Sequence, residues 1–179
     1  REVAEKNLER LLTEAGQFVA DGLFPDDAVQ RLRENLWAAP SIEDAVVDAT
    51  YIEEAVPEVL EIKHATLRRI SDAAPQDAVI GSNTSTILIA SLAEAVSNPG
   101  RFLGVHFSNP APFIPGVEVI PHAGTTEETV ETAREMVALT GKHAAVVKDV
   151  PGFVLNRLQY ALFHEAAQVV EEGIASAED

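Results

Sequence analysis

Near residue 50 the apolar residues of this sequence change spacing, from the three-to-four rhythm of helices to short continuous runs separated by helical stretches. The runs are Tyr51–Val56, Ala78–Ser82, Arg101–Phe107, Val117–Ile120 and Ala144–Lys148, rich in β-branched and apolar residues and bounded by Gly, Pro, Ser or Asn. Between them, Glu58–Ala73, Leu88–Ala95 and Glu127–Thr140 carry helical patterns. Strands alternating with helices predict an α/β sheet whose ligand site lies at the carboxyl ends of its strands.

The flanks read differently. From Arg1 to about Trp37 the pattern is helical, with Val3, Leu8, Leu11, Leu12, Phe18 and Val19 on one stripe and Asp21-Gly22 as a break. A second helix from about Pro25 carries Asp26 and Asp27 near its amino end, where negative charge is favoured, so a helical hairpin is expected. Ser41, followed by Glu43 and Asp44, opens a short helix ending near Asp48. After Asp149-Val-Pro-Gly, Phe153 to Glu172 reads as one long helix, apolar on more than one side and therefore in need of a partner, with Gly173 as its stop. Residues 1–150 are expected to form one domain and 151–179 the start of another.

The 179 residues hold 29 Asp+Glu against 13 Lys+Arg, a formal net charge of -16 spread along the chain; such a field repels nucleic acid and anionic membranes, so neither is expected as a partner. With no cysteine, neither disulfides nor thiolate metal sites can form, and cytoplasm is the default compartment. No apolar run approaches the roughly 18 residues of a membrane helix, so a soluble protein is expected. The only methionine is Met136, so a start codon is expected upstream of Arg1.

Three clusters could carry chemistry. In His106-Phe-Ser-Asn109-Pro110-Ala-Pro112-Phe-Ile-Pro115-Gly-Val-Glu118 a histidine ends one strand and a carboxylate sits in the next, across a stiff proline-rich loop. If Glu118 folds back on His106 it fixes one tautomer and stabilises the protonated ring, as a general base requires. The competing reading makes His106 a hydrogen-bonded core residue and Glu118 a surface charge on an edge strand. Gly81-Ser82-Asn83-Thr84-Ser85, at the end of a strand, either contacts a ligand or caps the next helix. Asn156, in the opening turn of the long helix, asks for a partner that a ligand or a cap can supply. The remaining histidines, His64, His122, His143 and His164, show no repeated ligand spacing, and no metal site is expected.

Taken together, Glu54-Ala-Val-Pro-Glu58 leading to Lys63, Ser82-Asn-Thr-Ser85, His106-Phe-Ser-Asn109-Pro110, Val117-Glu118-Val-Ile and Pro151-Gly-Phe-Val-Leu-Asn156-Arg157 resemble the 3-hydroxyacyl-CoA dehydrogenase family, which includes the L-gulonate dehydrogenases related to lambda-crystallin and the carnitine dehydrogenases. The resemblance covers nearly the whole chain. It implies an incomplete Rossmann-type doubly wound sheet with a helical hairpin insertion, followed by the first helix of an all-α C-terminal domain. It further implies that His106 takes the 3-hydroxyl proton, that Glu118 pairs with it, and that hydride passes from C3 to the nicotinamide of NAD. Ser85 and Asn156 would hydrogen-bond the reacting oxygen. Glu58, Lys63, Asn83, Ser85 and Asn109 would contact the cofactor, with Asn109 also framing the site.

The family opens with a strand, a G-x-G-x-x-G turn and an acidic residue on the adenosine ribose, none of which is found here. The helical domain that closes the substrate site and supports dimerisation in relatives is represented only by its first helix. Residues 1–179 alone are therefore expected to turn over poorly or not at all, and the full-length protein to be an active homodimer. An L-3-hydroxyacyl-CoA is the first substrate reading, with Arg31 and Arg33 the clearest candidates for coenzyme A phosphates. Tyr51-Ile-Glu-Glu-Ala-Val-Pro-Glu58 and Val154–Tyr160 look closer to the gulonate branch, so a free 3-hydroxy acid such as gulonate or carnitine is the alternative. A non-catalytic remnant is the second alternative.

Overall fold

The computed structural model describes residues 2–178; Arg1 and Asp179, the outer ends of the expected hairpin and of the expected second domain, lie outside the described residues. The chain divides into two compact units, Arg1–Val47 and Asp48–Asp179.

The first unit is helical. Helix α1 (Glu2–Ala20) packs on α2 (Ala28–Asn35), and a short α3 (Ile42–Val46) follows. The turn after α1 closes through Leu23 N and Phe24 N donating to Phe18 O, with Gly22 left-handed at φ 71° and the Phe18 and Phe24 rings 5.0 Å apart. Helix α2 starts later than Pro25, because Ala28 N bonds Pro25 O in a separate turn; Asp27 makes no cap bond and pairs with Arg31 at 2.6 Å. Ser41 caps α3 as expected, its hydroxyl accepting from Asp44 N at 3.1 Å.

The second unit is a five-stranded sheet in the order β1 (Tyr51–Glu54), β2 (Val79–Ser82), β3 (Phe102–Phe107), β4 (Gly116–Ile120), β5 (His143–Val146). Helices α4 (Leu60–Ala73), α5 (Ile89–Ala93), α6 (Glu127–Leu139) and α7 (Leu155–Glu171) complete it. The first three strands are parallel, joined through α4 and α5, whereas β4 runs antiparallel to β3 and β5 parallel to β4. Residues 108–115 are too few for a crossover between parallel strands, so β4 must return as a hairpin partner.

Strand alternation sorts the side chains onto two faces. Val79, Leu103, Val105, Val117 and Val119 bury against Ala133 and Val137 of α6. The other face meets α4 and α5. There Gly104 is required: a Cβ would lie within 3.0 Å of Ile89 Cγ1 and 3.1 Å of Ile120 Cδ1, so the glycine lets α5 sit directly on the sheet. His106 and Glu118 follow Gly104 and precede Ile120 on that same α5 face.

Several elements end short of the sequence reading, for local reasons. Strand β1 stops at Glu54, whose carboxylate takes Val56 N, and Pro57 has no N–H to continue a ladder. Helix α7 begins at Leu155 because Gly152 and Phe153 are left-handed, at φ 76° and 46°. The expected domain boundary at 150/151 differs from the division by compactness at 47/48, since the turn leading into α7 is bonded to the sheet.

Candidate active site

The register of the β3–β4 hairpin places His106 directly opposite Glu118. Both are buried, and His106 Nδ1 lies 2.8 Å from Glu118 Oε2. A carboxylate only accepts, so Nδ1 carries a proton, and in the neutral ring Nε2 then presents its lone pair. Nε2 points at Ser85 Oγ, 3.1 Å away. The other carboxylate oxygen, Glu118 Oε1, accepts Val154 N at 2.8 Å and Leu155 N at 3.0 Å. Glu118 thus joins the imidazole to the amino end of α7, where the helix dipole favours its charge. It is a surface charge on an edge strand in neither respect, for β4 lies between β3 and β5.

The loop after β2 is held from several sides. Glu58 Oε1 accepts from Thr84 Oγ1 at 2.6 Å, Ser85 N at 2.9 Å, Thr86 N at 2.8 Å and Thr86 Oγ1 at 3.0 Å. Burial pushes this carboxyl up, but the bonds from Thr84, Thr86 and Ser85 outweigh it and hold it down at about 2. Its second oxygen, Oε2, meets only the Lys63 ammonium at 3.5 Å among the described residues, which leaves it able to accept from a ligand hydroxyl. Asn83 Oδ1 accepts Phe107 N at 2.8 Å, fixing the loop to β3 and turning its Nδ2 donor the other way. Asn156 Nδ2 donates to Ser85 O at 2.8 Å, so this asparagine's partner is the serine loop. Asn109 is exposed beyond the end of β3, before a cis peptide to Pro110.

Lys63 is fully buried. Its ammonium bonds Glu54 Oε1 at 2.9 Å, Glu54 Oε2 at 3.1 Å and Val56 O at 3.1 Å, so its three donors are used within the protein. Glu54 also accepts Ser82 Oγ at 2.6 Å and thereby ties β1 to the loop that carries Ser85. The sequence therefore places His106, Glu118, Ser85, Asn156, Asn83 and Glu58 in one connected network, with Lys63 behind it and Asn109 at its rim.

Residues beyond those singled out belong to the same network. Glu54 is one; the strand Tyr51-Ile-Glu-Glu contained the signal, since alternation must send Glu53 and Glu54 to opposite packed faces. Asp149 is another, its carboxylate accepting Ile89 N at 2.9 Å and Ala90 N at 2.8 Å to cap α5. Phe153 is a third, with its ring centroid 5.7 Å from that of His106. On the α6 face, Glu53 bonds the Tyr51 hydroxyl over Gly81, and its Oε1 is buried without a partner among the described residues. Burial raises this carboxyl to about 8, against the opposing pull of Tyr51. His64 and His122 bond backbone carbonyls of Ser91 and Pro99.

Comparison with known proteins gives this geometry its setting. Residues 1–150 match the family model described as 3-hydroxyacyl-CoA dehydrogenase, NAD binding domain, and residues 152–179 match the corresponding C-terminal domain. The 5-formyl-3-hydroxy-2-methylpyridine 4-carboxylate 5-dehydrogenase of Mesorhizobium japonicum is 44% identical over 139 residues, covering 77% of this chain and 45% of the relative. The L-carnitine dehydrogenase of Staphylococcus epidermidis is 36% identical over 181 residues, covering 98% and 55%. Among solved structures, the (S)-3-hydroxybutyryl-CoA dehydrogenase PaaH1 of Ralstonia eutropha superposes with a TM-score of 0.87 at 28% identity, over 98% of this chain and 62% of the other. The chain spans about half the length of the curated relatives it matches. A mixed sheet wound on both faces, with a buried histidine–glutamate pair at its carboxyl edge, is thus found in a sequence that both domain models cover, and the chain belongs to the 3-hydroxyacyl-CoA dehydrogenase family.

Proposed function

We propose that the full-length gene product is an NAD-dependent dehydrogenase that oxidises the 3-hydroxyl of an L-3-hydroxyacyl-CoA, with His106 as the base. The observation that carries this reading is the line Ser85 Oγ, His106 Nε2, His106 Nδ1, Glu118 Oε2, at 3.1 and 2.8 Å. The Nε2 lone pair is the group free to take a proton, and Glu118 stabilises the imidazolium that forms. A substrate hydroxyl replacing or joining Ser85 at Nε2 would have Ser85 and Asn156 beside it, both already fixed to one another. NAD, when bound, supplies the hydride acceptor. Glu58 fits such a group because Oε1 is saturated by the loop while Oε2 remains able to take a ribose hydroxyl; Asn83 and Ser85 lie at the same strand ends, and Asn109 flanks them. Lys63 acts at one remove, holding Glu54 and Glu58.

The family's own description and the likeness to a 3-hydroxybutyryl-CoA dehydrogenase support the acyl-CoA substrate. A second reading, a free hydroxy acid of the gulonate or carnitine kind, is favoured by the likeness to an L-carnitine dehydrogenase and to a pyridine carboxylate dehydrogenase. The further expectations, a cytoplasmic homodimer binding neither nucleic acid nor membrane, rest on charge, composition and family; among the described residues no helix is long and apolar enough to cross a membrane. The test is NADH formation by the full-length gene product with L-3-hydroxybutyryl-CoA, L-carnitine and L-gulonate at equal concentration. Activity with the thioester above that with either acid is expected; a rate high only with a free acid would replace the first reading by the second.

A further inference from the structure

We propose that Phe153 is a positioning residue for His106, acting as the wall that holds the imidazole between Ser85 and Glu118. The inference rests on the dehydrogenase reading above and extends it to a residue outside the hydrogen-bonded line.

Three observations meet at Phe153. Its backbone is left-handed, at φ 46°, in a region that residues with a side chain rarely occupy and that persists when surroundings over-determine it. Its side chain is 1% exposed, and its ring is inclined 58° to the His106 ring at a centroid distance of 5.7 Å. Its two followers, Val154 and Leu155, give their N–H groups to Glu118 Oε1. The backbone conformation therefore serves two ends of the dyad at once, directing the ring at the imidazole and the next two amides at the carboxylate.

Residues around this turn complete the enclosure. Asp149 caps α5 through Ile89 N and Ala90 N, immediately after the Ser85 loop, and Asn156 donates to Ser85 O. Every member of the Ser85–His106–Glu118 line is thus touched from residues 149–156 or bonded to a neighbour that is. In that enclosure the hydrogen bonds at Nδ1 and Nε2 hold the ring through its two nitrogens, and the Phe153 ring adds an apolar contact to them. The Phe153 ring restricts rotation of the imidazole about its Cβ–Cγ bond, and a left-handed residue serves here because an ordinary φ would swing the ring out or draw Val154 and Leu155 off Glu118.

The test uses the full-length gene product with its preferred substrate carrying hydrogen or deuterium at C3. Phe153→Leu keeps an apolar side chain and removes the flat ring; kcat is expected to fall about 10- to 100-fold, the cost of mispositioning a reacting group. KM for NAD should stay within about twofold, since the cofactor contacts are untouched, and the deuterium effect on kcat should grow as chemistry becomes slower than product release. Phe153→Tyr, which keeps the ring, should retain most of kcat. A folded Phe153→Leu protein with unchanged kcat and isotope effect would overturn the proposal, as would Phe153→Tyr losing as much as Phe153→Leu. If Phe153→Leu is not folded, Phe153→Met takes its place, with the same expected loss of kcat and the same overturning result. His106→Gln in parallel separates the two levels: a dead His106 variant beside an unaffected Phe153→Leu sinks only this inference, whereas an active His106 variant sinks the base assignment beneath it.

Discussion

Replacing Glu118 by Gln removes one charge while keeping the shape of the side chain, so its consequences can be worked out bond by bond. The native carboxylate accepts three hydrogen bonds, from His106 Nδ1 at 2.8 Å, Val154 N at 2.8 Å and Leu155 N at 3.0 Å. The amide has one accepting oxygen. If that oxygen stays with the two backbone donors, the NH2 group faces Nδ1 and the imidazole must accept there, which moves its proton to Nε2 and removes the lone pair that should take the substrate proton. The comparable carboxylate-to-amide change in histidine-based hydrolases costs about 10⁴ in kcat through the wrong tautomer, and a loss of about 10³ to 10⁴ is expected here. Stability should fall less, by about 1–2 kcal/mol, for the charge at the start of α7 and the charge-assisted character of the bonds. The assay is steady-state NADH formation at saturating NAD, with urea unfolding of both proteins alongside. A Glu118→Gln protein turning over within tenfold of the parent would refute the reasoning, because the carboxylate would then not be setting the tautomer.

Two further substitutions address the groups behind the site. Glu53→Gln should stabilise the protein at neutral pH. The folded carboxyl titrates at about 8 against an ordinary 4.5, so the folded state keeps a proton that the unfolded chain has lost, and stability falls as pH rises through that window. At ~1.4 kcal/mol per pH unit the penalty at pH 7 is of the order of 3 kcal/mol, so urea midpoints should separate from pH 5 to pH 8 in favour of the variant; parallel curves would show that burial does not neutralise Glu53. Lys63→Met should destabilise by about 3–5 kcal/mol, because Glu54 keeps its buried charge and loses its counter-ion. Adding Glu54→Gln to it should recover part of that loss in thermal melts; a double variant less stable than Lys63→Met alone would contradict the pairing.

Much of this arrangement was legible in the residues. The change from helical spacing to short apolar runs located the five strands of the sheet; β2, β3 and most of β4 are buried as such runs require, whereas β5 is largely exposed and was marked by its short apolar composition alone. The His106–Glu118 pairing stood in the residues as one of two readings and was favoured only by the resemblance; the antiparallel β3–β4 register, which brings the two ends of a short loop opposite each other, is what joins them. The partner of Asn156 was foreseeable as a need but not as Ser85, since a bond across 71 positions leaves no local trace. The same holds for the amides of Val154 and Leu155 on Glu118. Glu58 and Lys63 were read as neighbours of a ligand, whereas the fold shows how many of their bonds are internal: Oε1 of Glu58 is filled by the loop, and Lys63 by Glu54 and Val56. Which of Glu53 and Glu54 would find a counter-ion depended on whether α4 or α6 covered its face, a matter of sheet winding that strand alternation cannot decide. Phe153 stood in a quoted motif but carried no role, because a left-handed phenylalanine looks in sequence like any apolar residue opening a helix; the glycine before it was a hint.

The claim on which the rest depends is that His106 is the base, and the direct measurement is the rate of NADH formation by a His106→Gln form of the full-length gene product under conditions where the parent is active. The account predicts a loss of at least about 10²-fold, the lower bound for removing a positioned general base, with the fold intact by circular dichroism. Turnover unchanged in a folded His106→Gln protein would contradict it and return the buried pair to a purely structural role.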